Sequence, residues 1–267
     1  MRTKAFKLDD STAYNHTGNQ QSVSIVIPCF NESEGIAALK TRLLPVVQRL
    51  RLVRSVELIF VDDGSSDDTF DKLQQSFGQH AQILRHRRNK GICAAINTGF
   101  VNSAGEIVCT VDSDCTYDPE DLLPLLDLLA DGVDIVTASP YHPQGGVKNV
   151  PAWRLVLSQG LSQIYRIVLP KKLYTYTSMF RAYRREVLEE VAVTYPGFLG
   201  LVEVLVEAIL RGYTVVEYPT QLSRRAFGQS KLRVAKVTFS HLKYISQLMF
   251  RRLTKRKKAK ALVYKSY

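Results

Sequence analysis

Glu106-Ile-Val-Cys-Thr-Val-Asp-Ser-Asp-Cys-Thr-Tyr-Asp118 is an apolar run that ends in two carboxylates one residue apart. Ile107, Val108 and Val111 read as a strand of a buried parallel sheet, and Asp112 and Asp114 fall where that strand gives way to a loop. Open α/β sheets bind ligands at this carboxyl edge. Side chains at i and i+2 point the same way, so both carboxylates can converge on one cation, and hard oxygen ligands suit Mg2+ or Mn2+ bridging a diphosphate. An isolated Asp-x-Asp reads more readily as a solvated turn capping the helix that begins near Pro119. The surrounding chain decides between the two.

Upstream, Val23-Ser-Ile-Val-Ile-Pro28 is a short β-branched run, and Asn31-Glu-Ser-Glu34 follows it with Asn or Ser as a helix cap. Ile36, Leu39, Leu43, Val47 and Leu50 then fall on one helical face. The pattern repeats: Val56 to Val61 reads as a second strand stopped by Asp62-Asp-Gly-Ser-Ser66, with a helix over Thr69 to Phe77. A third unit runs from Ile83-Leu84 through the basic Arg85 to Lys90 stretch into a helix over Gly91 to Asn102. Downstream of the opening strand, Asp118-Pro119 makes an N-cap and N1 pair for a helix over Leu122 to Leu129, and Val133 to Thr137 is a further strand. Four strand and helix alternations predict an α/β fold with a doubly wound, mainly parallel sheet and flanking helices. Neither G-x-G-x-x-G nor G-x-x-x-x-G-K-[ST] occurs, so phosphate must be held by other means.

From Tyr141 the character changes. Pro143 to Asn149 reads as a loop, Trp153 to Leu169 as a helix, Tyr174 to Arg185 as an extended segment before a Glu186 to Val191 helix, and Phe198 to Leu210 as a helix carrying Glu203 in an apolar face. A carboxylate there is costly unless paired or functional. Tyr213 to Pro219 is a strand, beyond which Gly228 permits a close turn while Arg225 and Lys231 supply cations for phosphate. Three divisions follow: an arm over 1–21, a domain over 22–231, and an amphipathic basic tail over 232–267 that includes a C-terminal helix.

Formal net charge is +11, yet residues 251–267 hold eight Lys or Arg and no acid, and without them +3 remains. The basicity therefore belongs to the tail, and specific nucleic-acid recognition is not expected of the body. Cys29, Cys93, Cys109 and Cys115 contain no C-x-x-C and lie mostly in apolar runs, which favours reduced thiols and the cytoplasm. No apolar stretch reaches the ~18–20 residues that span a bilayer.

In combination these stretches resemble the family 2 glycosyltransferases of the GT-A fold, and within them the group of dolichol-phosphate mannosyltransferases. The blocks that carry the likeness are Ile27-Pro-Cys-Phe-Asn-Glu32, Val61-Asp-Asp-Gly-Ser-Ser-Asp-Asp-Thr69, Asn89-Lys-Gly91, Asp112-Ser-Asp114, Ser178-Met-Phe-Arg-Ala-Tyr183, and Gly212 to Pro219 leading into Gly228-Gln-Ser-Lys231. The resemblance implies that Pro28, Phe30, Glu32, Val61 and Asp63 form a nucleotide pocket, with Asp63 on the base. It implies that Asp112, Ser113 and Asp114 hold the diphosphate through Mg2+ or Mn2+, that Arg225 and Lys231 meet the phosphates, and that Glu203 faces the same cleft. Three positions depart from the pattern: Thr116 stands for a Gln, Pro140 for an Arg within Ser139-Pro-Tyr141, and Thr175 for an Asp.

The resemblance implies inverting transfer of a hexose from GDP-mannose or UDP-glucose to a polyprenyl phosphate. With a phosphate acceptor the nucleophile is already ionised and Glu203 is an orienting or electrostatic group; with a saccharide hydroxyl, Glu203 is the candidate base. A third reading is a non-catalytic membrane or nucleic-acid binder. The tail suits a peripheral seat at the inner, cytoplasmic face of a membrane, since clustered Lys and Arg attract an anionic leaflet. A membrane-spanning partner protein is compatible with that seat.

Overall fold

A computed structural model describes residues 21–130, 132–195, 197–225 and 237–251. Strands and helices alternate from the start: β1 (Val23–Cys29), α1 (Ile36–Arg51), β2 (Val56–Asp62), α2 (Thr69–Phe77), β3 (Gln82–Arg85), α3 (Ile92–Val101) and β4 (Ile107–Thr110). A 3-10 turn at Pro119–Asp121 leads into α4 (Leu122–Asp127) and β5 (Ile135–Ser139). Then come β6 (Gly146–Lys148), α5 (Ala152–Val168), β7 (Arg181–Arg184), α6 (Arg185–Glu190), α7 (Phe198–Arg211), β8 (Val215–Pro219) and β9 (Gln221–Ser223). A helix over 237–251, α8, is the last described element.

Seven strands form one sheet in the order β3-β2-β1-β4-β7-β5-β8, and β6 pairs with β9 in a small second one. Every pairing in the main sheet is parallel except those of β7, which runs antiparallel to both β4 and β5. The expected mainly parallel sheet is therefore present, with one reversed strand wedged in its middle. Alternation along β2 explains the layers: Leu58 and Phe60 point to one face, Ile59 and Val61 to the other. On the first face they meet Leu39, Leu43 and Val47 of α1 and Phe77 of α2, with the Phe60 and Phe77 ring centroids 4.4 Å apart. On the second, Ile59 and Val61 meet Ala95 of α3. Truncating Phe60 to Ala would cost about 3–5 kcal/mol.

A second core joins β5, β7 and β8 to α5, α6, α7 and α8 through Tyr165, Tyr183, Val187, Leu205, Tyr244, Ile245 and Leu248. Helix α8 is thus packed into the body along one side, leaving Phe239, Leu242, Met249 and Phe250 exposed on it. Of the three sequence divisions at 1–21, 22–231 and 232–267, residues 1–20, 226–231, 232–236 and 252–267 lie outside the described residues.

Candidate active site

Backbone hydrogen bonds carry the ladders past the ends of the first strands and hold three loops side by side. Val111 N donates to Val26 O (3.1 Å), Asp63 N to Cys29 O (2.8 Å) and His86 N to Asp62 O (2.9 Å). The loop after β1 turns at Asn31, whose φ of +53° lies in the left-handed region that Asn tolerates. Asn31 does not cap α1, whose N-cap is Gly35 with no side-chain bond. Its Oδ1 accepts from Ser66 N (2.8 Å) and its N donates to Ser65 Oγ (2.9 Å), while Glu32 N donates to Thr69 Oγ1 (2.8 Å). The first loop is fastened to the second, and the Glu32 carboxylate is buried there.

In the second loop, Gly64 has φ +72°, and a Cβ on it would lie 2.4 Å from Arg88 C; no other residue fits so close a backbone. Asp63 is buried, and its carboxylate braces the next turn. Oδ1 accepts from Lys90 N (2.8 Å) and lies 2.7 Å from His86 Nδ1, while Oδ2 accepts from Gly91 N (2.8 Å). The other His86 nitrogen lies 2.9 Å from Thr98 Oγ1, so that ring is fixed on both sides. Gly64, Ser65, Arg85, His86 and Arg87 line a hollow beside this turn.

The third loop carries the paired acids. Cys115, at φ +53°, reverses the chain just past them, a strained non-glycine position of the kind that clusters at functional sites. Asp114 Oδ1 accepts from Thr116 N (3.1 Å), and Asp114 Oδ2 takes both Arg225 Nε (2.8 Å) and Nη2 (2.7 Å). Arg225 Nη1 reaches Glu32 Oε1 at 3.1 Å, so one guanidinium joins the first and third loops. Burial opposes the Arg225 charge, but Asp114 and Glu32 hold its pKa above the ordinary value. Asp112 Oδ2 is buried with no hydrogen-bond partner. Burial first, then the neighbouring Asp114, pushes the Asp112 carboxyl well up, with Arg225 opposing.

A buried carboxylate oxygen without a donor, beside a second carboxylate, is the kind of oxygen pair that hard divalent ions take. Among the described residues no group of three or more His, Cys, Asp or Glu is disposed to hold a metal. Two carboxylates suffice for Mg2+ or Mn2+ when the remaining positions go to water and substrate phosphate, so the pair fits such an ion. Burial pushes the thiols of Cys93 and Cys109 up to about 12 and that of Cys115 up to about 11, and it raises Cys29 further, which favours the neutral thiol at all four.

Of the residues singled out in the sequence, Phe30, Glu32, Asp63, Asp112, Ser113, Asp114 and Arg225 lie on these loops or on the segment laid across them. Pro28 and Val61 are buried beneath, with Val61 in the core against Ala95. Glu203 is buried on α7, where its Oε2 accepts from Thr194 N (2.7 Å) and Tyr195 N (3.0 Å). Lys231 lies outside the described residues.

Two further residues, unremarked in the sequence, hold polar networks among β5, β7, β8 and the segment before β7. Glu217 Oε1 accepts from Ser139 Oγ (2.6 Å), Tyr174 N (2.9 Å) and Thr175 N (2.9 Å), and Ser139 Oγ also lies 2.9 Å from Thr175 Oγ1. Arg181 is fully buried and donates to Thr137 Oγ1, Tyr183 OH, Leu201 O and Tyr176 O. Its charge inside the apolar Met-Phe-Arg-Ala-Tyr run was a usable signal; Glu217 had none beyond a carboxylate in a strand.

Residues 24–192 match the family model described as glycosyl transferase family 2. A dolichol-phosphate mannosyltransferase of Pyrococcus furiosus is 34% identical over 85% of this chain and 63% of its own length, so the chain spans less than two thirds of that relative. A polyprenol monophosphomannose synthase of Mycolicibacterium smegmatis is 32% identical over 79% of this chain and 81% of its own. Among solved structures, glucosyl-3-phosphoglycerate synthase of Mycobacterium tuberculosis, in complex with Mn2+, UDP and glucosyl-3-phosphoglycerate, superposes with a TM-score of 0.66 at 20% identity. That superposition covers 85% of this chain and 80% of the other, and it shows a shared GT-A-like fold.

Proposed function

The chain belongs to glycosyl transferase family 2, and on that premise we propose that it moves a hexose, mannose or glucose, from a nucleoside diphosphate sugar to a polyprenyl phosphate with inversion. The observation that carries the reading is the buried, unpartnered Asp112 oxygen beside Asp114, an acid pair built to be completed by a cation. Mg2+ or Mn2+ held there would neutralise the charge that develops on the departing diphosphate. Arg225, hung between Asp114 and Glu32, is proposed to turn its fork onto a phosphate, and Lys231 is proposed as the second such cation. Asp63 is proposed to meet the base, and the support for a site there is that its carboxylate already braces the 86–91 turn.

In the transfer, an acceptor phosphate oxygen forms a bond to the anomeric carbon, and the bond from that carbon to the distal phosphate oxygen of the donor breaks. The electron pair leaves with the nucleoside diphosphate, and no proton moves. Glu203 supports the phosphate acceptor over a saccharide hydroxyl, because its Oε2 already accepts two backbone amides and a phosphate nucleophile needs no base. The names of the Pyrococcus and Mycolicibacterium relatives point the same way.

A peripheral seat at the cytoplasmic face of a membrane belongs to the same proposal. No helix among the described residues is long and apolar enough to cross a bilayer, whereas exposed Phe239, Leu242, Met249 and Phe250 precede a basic tail. The test is transfer of radiolabelled mannose from GDP-mannose, or glucose from UDP-glucose, into a chloroform-soluble polyprenyl product. EDTA and Asp114→Ala are each expected to abolish the product, whereas Glu203→Gln should retain most of it. Full turnover by Asp114→Ala with saturating metal would sink the metal assignment, and collapse of Glu203→Gln in a folded protein would favour a hydroxyl acceptor.

A further inference from the structure

The segment that delivers Arg225 is strapped along the loop that carries the acid pair. Tyr218 OH donates to Asp121 Oδ1 (3.2 Å), Thr220 Oγ1 bonds the other oxygen of Asp121, and Ser223 N donates to Thr116 O (2.8 Å). Arg224 N is held by Lys148 O (3.0 Å) in the small sheet. At the end of this strap, Arg225 makes its two short contacts to Asp114 Oδ2 and its third to Glu32 Oε1. Its side chain is only 22% exposed, and those of Glu32 and Asp114 are 8% and 11% exposed, so the contacts are largely shielded from water. A guanidinium therefore already engages the carboxylate that a divalent ion would need, while the Asp112 oxygen beside it stays without a donor.

We infer that Arg225 is a resident cation that blocks the acid pair until a diphosphate draws its guanidinium away, so that metal and nucleotide bind together and metal alone binds poorly. This rests on the reading of Asp112 and Asp114 as metal ligands. Two cations sharing one shielded carboxylate repel, so an ion arriving alone must displace the fork and leave it without Asp114. A nucleoside diphosphate changes the balance, because its phosphate oxygens accept the same bidentate fork that the carboxylate held. Coupling is reciprocal: metal must tighten the nucleotide by the factor with which the nucleotide tightens metal. The strap gives Arg225 a short path between the two partners and sets the order in which the site fills.

The test titrates Mn2+ into the full chain, following the free-ion electron paramagnetic resonance signal, with no nucleotide, with UDP and with GDP. Wild type is expected to bind Mn2+ weakly alone and much more tightly with the fitting nucleotide. Arg225→Gln should bind Mn2+ alone about tenfold or more tighter than wild type, with a smaller coupling between ion and nucleotide. Arg225→Lys, which keeps one charge but not the fork, should fall between them. If both variants, shown to be folded by circular dichroism, bind Mn2+ alone no tighter than wild type, the resident-cation idea is overturned while the metal site stands. If wild type binds no Mn2+ even with nucleotide, the metal reading itself fails and this inference fails with it.

Discussion

Asp112→Asn should make the metal-free protein more stable while removing the metal binding proposed for it. The wild-type carboxylate has one buried oxygen with no donor and a second acid two residues away, and its pKa is pushed well above the ordinary range by that burial and by Asp114. Unfolded, the group titrates near ~3.9. A carboxyl whose folded pKa lies higher stabilises the fold below the unfolded value, and that contribution is lost as pH rises through the folded one. At neutral pH the folded chain therefore carries a penalty. An unsatisfied buried charged group costs about 1–3 kcal/mol or more, and Arg225 on Asp114 offsets part of it, which leaves roughly 2 kcal/mol. In a domain of this size that corresponds to about 4–8 °C in Tm. The assay is urea denaturation with EDTA at about pH 7.5, where Asp112→Asn should raise the midpoint with an unchanged slope. Near pH 4 the difference should vanish. With Mn2+ and the fitting nucleotide at about 100 times their Kd the order should reverse, since only wild type gains the ~2.7 kcal/mol of binding linkage. A variant no more stable than wild type in EDTA at neutral pH would refute the reasoning.

His241, buried on α8 with Nδ1 2.9 Å from Tyr165 OH, has its pKa pushed down to about 4 by burial. The unfolded chain takes up that proton from about pH 6.5 downward, so stability should decline between about pH 6.5 and 4, by at most about 3–4 kcal/mol in all. Subtracting the profile of His241→Gln should isolate this slope, and a flat difference across the window would exclude it. Glu217→Ala leaves Tyr174 N, Thr175 N and Ser139 Oγ without their acceptor, a loss of about 2–4 kcal/mol. Hydrogen exchange should show the Tyr174 and Thr175 amides losing protection before the sheet does; a stability change below about 1 kcal/mol would count against this role.

What was legible in the chain is what local physics controls. Alternating apolar runs, chain breakers and helical periodicity located most of the elements, though Asp118 caps a 3-10 turn at Pro119–Asp121 and not α4, whose N-cap is Asp121. The run at 106–118 located the acid pair at the tip of a central strand. The Asn31 cap failed because a tertiary partner outcompeted the local one: Ser66 claims that side chain, 35 residues away.

By itself, then, the sequence determined the α/β alternation, the sheet edge that carries the acid pair and the residue types gathered there, because periodicity and turn chemistry act over a few neighbours. Only the tertiary structure decided that β7 enters the sheet reversed between β4 and β5, that Glu203 braces Thr194 and Tyr195, and that Asp63 holds the 86–91 turn. The pairing of Arg225 with Asp114 spans 111 positions of chain. Contacts of that reach follow from how whole layers pack, and no window along the chain contains both partners.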